Sequence, residues 1–363
     1  MGLVSCFVWH IKEDLYICNA FKKYQIIISM NIEKISKVEI KSLWNRFDLI
    51  WNLNPDVNIL SGINGSGKST ILDFIACLLT RGILTDDLAE LVQSVKITFN
   101  NGKCILFEHI IDTIKNIELK AKTDDKYKSL FSNIKKKEGL NYKNIERISA
   151  NITSSDDLET TLKELHELIE IDAISTFDKE IVEVGKRPDE NVRTELDRDI
   201  FKLQKQYLDY QLNIGKRAFE IVSTDNGNSK KDVSLIRKTQ ERFLKIIDSL
   251  FEETGKKINR TKNEITFING DEEITAYQLS SGEKQLLVIL LTILVQDNKS
   301  SILFMDEPEI SLHFDWQKKL IQYILELNPN VQIILATHSP AVVMEGWHNK
   351  VSDVRDLIVQ DKK

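Results

Sequence analysis

SGINGSGKST, residues 61 to 70, carries the pattern G-x-x-x-x-G-K-S over Gly62 to Ser69, and its reading sets the rest of the chain in order. The apolar run VNIL (57–60) precedes it, and ILDFIACLLT (71–80) follows with apolar residues at helical spacing. Strand, glycine loop, helix is the context in which this pattern binds phosphate. Main-chain N–H groups wrap an anion only where side chains do not intrude, so Gly62, Gly65 and Gly67 are interleaved with Asn64 and Ser66. The following helix points its N-terminus, with Ser69 and Thr70, at the anion. Lys68 then offers a point charge to the β- and γ-phosphates of a nucleotide, and the Ser69 hydroxyl is a ligand for Mg2+. A glycine turn without a nucleotide is the bland alternative; an intact GKST between strand and helix speaks against it.

Two further apolar runs end in polar groups. ILFMDEPE (302–309) reads as a buried strand closing on Asp306 and Glu307, and VQIILATHSP (331–340) as a second closing on Thr337-His338-Ser339. Near-continuous apolar strands separated by helices imply a parallel sheet covered on both faces, with ligands at the carboxyl ends of its strands. Adjacent acids at a surface strand end are common. Coupled to the loop above, Asp306 reads as a magnesium ligand through water and Glu307 as the acceptor of a proton from attacking water. His338 reads as a γ-phosphate contact. The stretch QLSSGEKQLL (278–287) sets Ser280, Ser281, Gly282 and Glu283 before the apolar LLVILLTILV, which is a helix start with a serine cap.

In this order the four elements resemble an ABC-type ATPase, with Walker A at 62–69, Walker B at 302–307, and LSSGE similar to the family's LSGGQ signature with Ser281 replacing its first glycine. The resemblance implies that Ser280 and the Gly282 amide, with Ser281 and Glu283 beside them, meet the γ-phosphate of ATP held by a second protomer. A homodimer or higher homo-oligomer closing head-to-tail on ATP follows. Pro308 to His313, PEISLH, is similar to the PExxLH element of soluble OLD-like, AAA_21-type ATPases common in bacterial antiphage systems, although Phe314 replaces the usual following proline. Only 25 residues follow His338, whereas a nuclease domain needs on the order of 100. The resemblance therefore implies a separate nuclease effector, TOPRIM-like or HNH, and a phage-encoded trigger. The chain is similar to the ATPase subunits of the PARIS and Septu systems; the ending MEGWHNKVSDVRDLIV (344–359) also looks like that group, and PARIS is favoured. A DNA-repair ATPase of the RecF or SMC kind is the alternative.

The totals agree with a globular ATPase. There are 363 residues, 42% apolar and 29% charged, with a net charge of −6, so any nucleic-acid site is local. Residues 111–150 hold ten Lys or Arg against six acids, including Lys135-Lys136-Lys137, which is either a nucleic-acid contact or a solvated face. Four cysteines without a CxxC pair fit a reducing cytosol, and no apolar run is long enough to span a membrane.

The expected fold class is α/β, an ABC-type P-loop ATPase head of mixed sheet flanked by helices plus antiparallel hairpins, with a helical, short coiled-coil insertion. Residues 1–29 read as an N-terminal extension, with Met30 expected as the natural start. The head's N-terminal half covers 30–111, a helical insertion 112–255, and the C-terminal half 256–363. Hairpins are expected around Asn101-Gly102 and Asn269-Gly270. Leu196, Ile200, Leu203, Tyr207, Tyr210 and Ile214 form a heptad seam on a short antiparallel arm. Trp44, Phe47 and Trp51 read as core packing ahead of adenine stacking. Gln93 is the nearest candidate for the family's glutamine loop and is left unassigned.

Overall fold

The computed structural model describes residues 33–81, 84–112, 122, 128, 145–150, 163, 165–174, 188–223 and 229–362. The extension with Met30, and the basic run Lys135 to Lys137, lie outside these residues.

Alternation decides the centre of the molecule. β3 (Val57–Ser61), β7 (Glu170–Ile174), β11 (Ser301–Asp306), β12 (Val331–Ala336) and β13 (Val351–Asp353) form a parallel sheet in the order β13-β3-β12-β11-β7. Along β11, Leu303 and Met305 enter one core, while Ile302 and Phe304 enter the other. Along β12, Val331, Ile333 and Leu335 oppose Ile334 and Ala336 in the same way. Successive side chains leave opposite faces of a strand, so a strand covered twice is apolar on both, and the buried polar exceptions Asn58, Ser301 and Gln332 are hydrogen-bonded.

One core lies under α1 (Lys68–Arg81) and a six-stranded antiparallel sheet. That sheet contains β1 (Ile35–Leu43), β2 (Phe47–Asn52), β4 (Ser94–Phe99), β5 (Cys104–Asp112), β6 (Ile145–Ala150) and β14 (Ile358–Asp361), in the order β14-β2-β1-β4-β5-β6. The hairpin at Asn101-Gly102 joins β4 to β5, with Gly102 at φ 84. The other core lies under α2 (Glu195–Ser223), α3 (Ser229–Leu250), α4 (Ser281–Val295) and α5 (Phe314–Leu327). β8 (Lys256–Ile258), β9 (Thr266–Asn269) and β10 (Glu272–Thr275) form the third sheet, with the expected turn at Asn269-Gly270. No helix among the described residues is long and apolar enough to cross a membrane.

The seam on α2 is buried at all six positions, Leu196 to Ile214. Its partner corrects the reading of a simple arm. α2 packs against α4 as well as α3, because α4 is apolar on every side and needs cover beyond the sheet. Beyond Ile214, Phe219 and Val222 are exposed. The stretch read as a helical insertion also contains β6 and β7. β7, EIDAI, is short and has a polar centre, so its own preference is weak; pairing with β11 supplies the strand. β13 and β14 escape the sequence reading for the same reason.

Candidate functional site

β3 delivers the loop to the carboxyl edge of the parallel sheet, and α1 begins at Lys68. Gly67 sits at φ 94, and a Cβ there would lie 2.6 Å from the Trp44 ring, so both conformation and space call for glycine. Trp44, Asn64, Gly65, Lys68, Glu307 and His338 are among the residues that line a cleft of about 480 Å3, with Ser69 and Thr70 on its wall.

Three strand ends converge in this cleft. Lys68 Nζ hydrogen-bonds His338 Nε2, and donates to the carbonyls of Gly62 at 3.3 Å and Ile63 at 3.5 Å. Glu307 Oε1 lies 3.4 Å from the same His338 nitrogen. Glu307 adopts φ 49, a left-handed conformation that costs a non-glycine residue energy, while its N–H bonds the Ala336 carbonyl at 2.8 Å. The strain turns the chain at the strand end, so Asp306 and Glu307 do not follow strand alternation.

Asp73 escaped the sequence reading. It lies one helical turn beyond Ser69, a spacing that puts two residues on one face. Its carboxyl is raised above the ordinary range, first by burial and then by the charge of Asp306. The Asp306 carboxylate and the Ser69 hydroxyl are hard oxygen donors, which suit a small divalent cation. Among the described residues no cluster of three or more acids, histidines or cysteines could hold a metal, so such an ion would depend on substrate and water for its remaining ligands.

Trp44 corrects the expectation of core packing: it is 37% exposed and lines the cleft, whereas Trp51 is buried at 1%. Gln93 instead hydrogen-bonds Ser42 at 3.2 Å and is not part of the lining.

The signature stretch stands apart, since none of Ser280 to Glu283 lines this cleft. Ser280 is the N-cap of α4 in a capping box: its main-chain N–H donates to Glu283 Oε2 at 2.9 Å, and its hydroxyl accepts from the Glu283 N–H. Ser280 and Ser281 are exposed, whereas Gly282 and Glu283 are buried. A Cβ on Gly282 would lie 2.2 Å from the Ser311 carbonyl oxygen, so its bare backbone admits the loop after β11. The next three residues bond inward. Glu283 accepts from Lys256 at 2.8 Å and Thr254 at 2.9 Å, Lys284 donates to Asp197 at 2.7 Å, and Gln285 donates to the Pro308 carbonyl at 3.0 Å.

Glu283 was expected to face a nucleotide; its carboxylate is instead consumed within the chain. Burial by itself would raise its pKa, but bonds from Lys256, Ser280 and Thr254 outweigh that and hold it below the usual range. A depressed folded-state pKa means this stabilisation is full above the ordinary titration range and lost as pH falls below it and through the lowered folded-state value. Glu283→Ala should cost about 3 kcal/mol at neutral pH by stranding Lys256. Ser281→Ala, at the exposed neighbour, should change stability by no more than about 0.5 kcal/mol. Denaturant unfolding compares the two, and equal effects would refute the inward role of Glu283.

A family model described as "AAA domain, putative AbiEii toxin, Type IV TA system" matches residues 57–345. The chain is 28% identical over 176 residues to the retron Vc95 probable ATPase of Vibrio cholerae serotype O1 biovar El Tor, covering 44% of this chain and 34% of that one. It is 24% identical over 339 residues to Septu protein PtuA of Bacillus thuringiensis, covering 87% of this chain and 74% of that one. The chain thus spans about a third of the retron relative's length. A solved SMC head, bound to the C-winged helix domain of ScpA, matches with TM-score 0.50 at 17% identity, over 86% of this chain and 91% of that one. The α/β ABC-type head expected from the sequence is the fold observed.

Proposed function

The chain belongs to the AAA_21 family, and from that premise we propose that it binds ATP in the cleft around Lys68 and hydrolyses it with Mg2+. The convergence of Lys68, Glu307 and His338 from three separate strand ends carries this reading. The backbone of the loop 62–67 and the N-terminus of α1 bind the phosphates, and Lys68 leaves the loop carbonyls to meet their charge. Ser69 and Asp306 would hold magnesium, which when bound neutralises phosphate charge. Glu307 accepts the proton of the attacking water, and His338 beside it steadies the terminal phosphate. Trp44 stacks on the nucleotide base, an interaction worth about 1–3 kcal/mol.

A second copy is needed to complete the site, because Ser280, Ser281 and Gly282 lie off the cleft of their own chain. An exposed helix N-terminus capped by serine suits an anion brought by another protomer. ATP therefore closes a homodimer, and hydrolysis or a trigger reopens it, a two-state element biased by ligand.

The biological role follows from the OLD-like element Pro308 to His313 and the likeness to Septu PtuA. In this reading the chain is the sensor or scaffold of an antiphage system, controlling a separate nuclease of TOPRIM-like or HNH type in response to a phage-encoded signal. Septu stands among the relatives; a PARIS assignment rests on the resemblance read from the sequence.

Binding of a fluorescent ATP analogue, phosphate release with and without Mg2+, and copurification from the native operon test the proposal. Lys68→Ala should lose ATP, Trp44→Ala should weaken it about tenfold, and a nuclease should copurify. Metal-independent turnover would refute the magnesium site. Hydrolysis stimulated by DNA, without a copurifying nuclease, would favour the RecF- or SMC-like reading.

A further inference from the structure

We propose that Glu309 is a positioning residue for the hydrolytic step, holding His338 in the cleft through its main chain. The proposal rests on the ATPase reading above. Glu309 lies two residues beyond Glu307, in the loop that leaves β11, and reaches across to the loop that leaves β12. One oxygen, Oε1, accepts three hydrogen bonds there: from Thr337 Oγ1 at 2.6 Å, from the His338 N–H at 2.9 Å and from the Ser339 N–H at 3.1 Å. The Thr337 hydroxyl in turn accepts from the Ser339 N–H at 2.9 Å, which closes the turn on itself.

The two loops are pinned a second time on the far side. Gln317 of α5 donates to the Leu312 carbonyl at 2.9 Å and accepts from Ser339 Oγ at 2.6 Å. The segment 337–339 therefore has no freedom to carry His338 away from Lys68 and Glu307 while these bonds persist.

The arrangement is costly for mere packing. Glu309 Oε2 is buried without a hydrogen-bond partner among the described residues, and an unsatisfied buried carboxylate oxygen carries a desolvation penalty. A serine or asparagine could cap two N–H groups without that cost. A carboxylate gives an ionised acceptor, whose hydrogen bonds are about twice as strong as neutral ones. Strength matters here because a misplacement of about 1 Å near reacting atoms can cost about 10²-fold in rate.

The test uses the full chain with Glu309→Ala and Glu309→Gln. Two quantities are read: amide hydrogen exchange at His338 and Ser339, and single-turnover hydrolysis of saturating Mg-ATP. In Glu309→Ala, exchange at both amides should rise about tenfold or more while β12 itself stays protected. Hydrolysis should slow about tenfold or more, with ATP affinity unchanged within about twofold. Glu309→Gln keeps an acceptor oxygen without the charge and should recover part of both. Unchanged exchange at His338 and Ser339 overturns the proposal. So does normal hydrolysis in Glu309→Ala, or loss of ATP binding and of melting temperature in step with rate, which would mark a purely structural residue. A wild-type chain that binds but never hydrolyses ATP overturns the proposed function itself. Wild-type turnover beside an unaffected Glu309→Ala overturns only the role of Glu309.

Discussion

Glu307→Gln is expected to bind ATP as the wild type does and to turn it over at least about 10²-fold more slowly, the loss that follows removal of a general base. Glutamine keeps the shape of the side chain and its main-chain bond to Ala336, so the strained turn at φ 49 persists. What it loses is the ability to take a proton. The effect should fall on the rate and leave affinity alone, because Glu307 is not part of the phosphate loop. The variant should also hold the ATP-closed dimer longer, which size-exclusion chromatography with ATP can follow. Near-wild-type turnover would remove Glu307 from the mechanism and shift attention to His338, 3.4 Å away.

Ser280→Asp is expected to abolish hydrolysis while leaving both folding and monomer ATP binding intact. Aspartate can still accept the Glu283 N–H, but the Ser280 hydroxyl also donates to Glu283 Oε2 at 2.9 Å; losing that bond and setting two carboxylates together should cost about 1–3 kcal/mol without unfolding the chain. A carboxylate would nevertheless stand where a partner's γ-phosphate must arrive. Losing one such stabilising contact elsewhere costs about 10²–10³ in rate, and like-charge repulsion adds to that. The loss should be repaired in trans. Ser280→Asp retains a whole phosphate loop, and Lys68→Ala retains a whole signature. Mixed together they form one complete composite site, so turnover should return when two inactive variants are combined. If Ser280→Asp also loses ATP binding, or if mixing restores nothing, the site is complete within one chain and the in-trans assignment is wrong.

Several site residues were legible because their chemistry is local. Gly67 needs both a positive φ and an empty Cβ position, and no other residue type meets both demands. Lys68 and Ser69 follow it on the first turn of a helix, a placement fixed by the chain itself. Asp306, Glu307 and His338 could be placed at strand ends because the runs before them are apolar on both faces. Other residues carried no such mark. Trp44 looks like any core aromatic until the turn between β1 and β2 swings it over Gly67. Asp73 reads as an ordinary helix-surface acid until β11 brings Asp306 near it. Glu283 shows the opposite error. By its place in the signature it belongs beside phosphate, yet Lys256 and Thr254, supplied by the segment after α3, draw it inward. The role of Glu309 depends on a loop 28 residues further along.

By itself the sequence determined what short-range physics controls: the phosphate loop, the two-faced strands, the serine-capped helix, the Asn-Gly hairpins and the heptad seam of α2. In each, the residue and its determining neighbours lie within a few turns or one hairpin. Tertiary structure alone decided β7 and β13, the burial of α2 against α4, and which polar side chains face the cleft rather than the core. Those outcomes depend on partners that adjacent strands and covering helices supply from distant parts of the chain. A weak local preference leaves them open until the sheet is assembled.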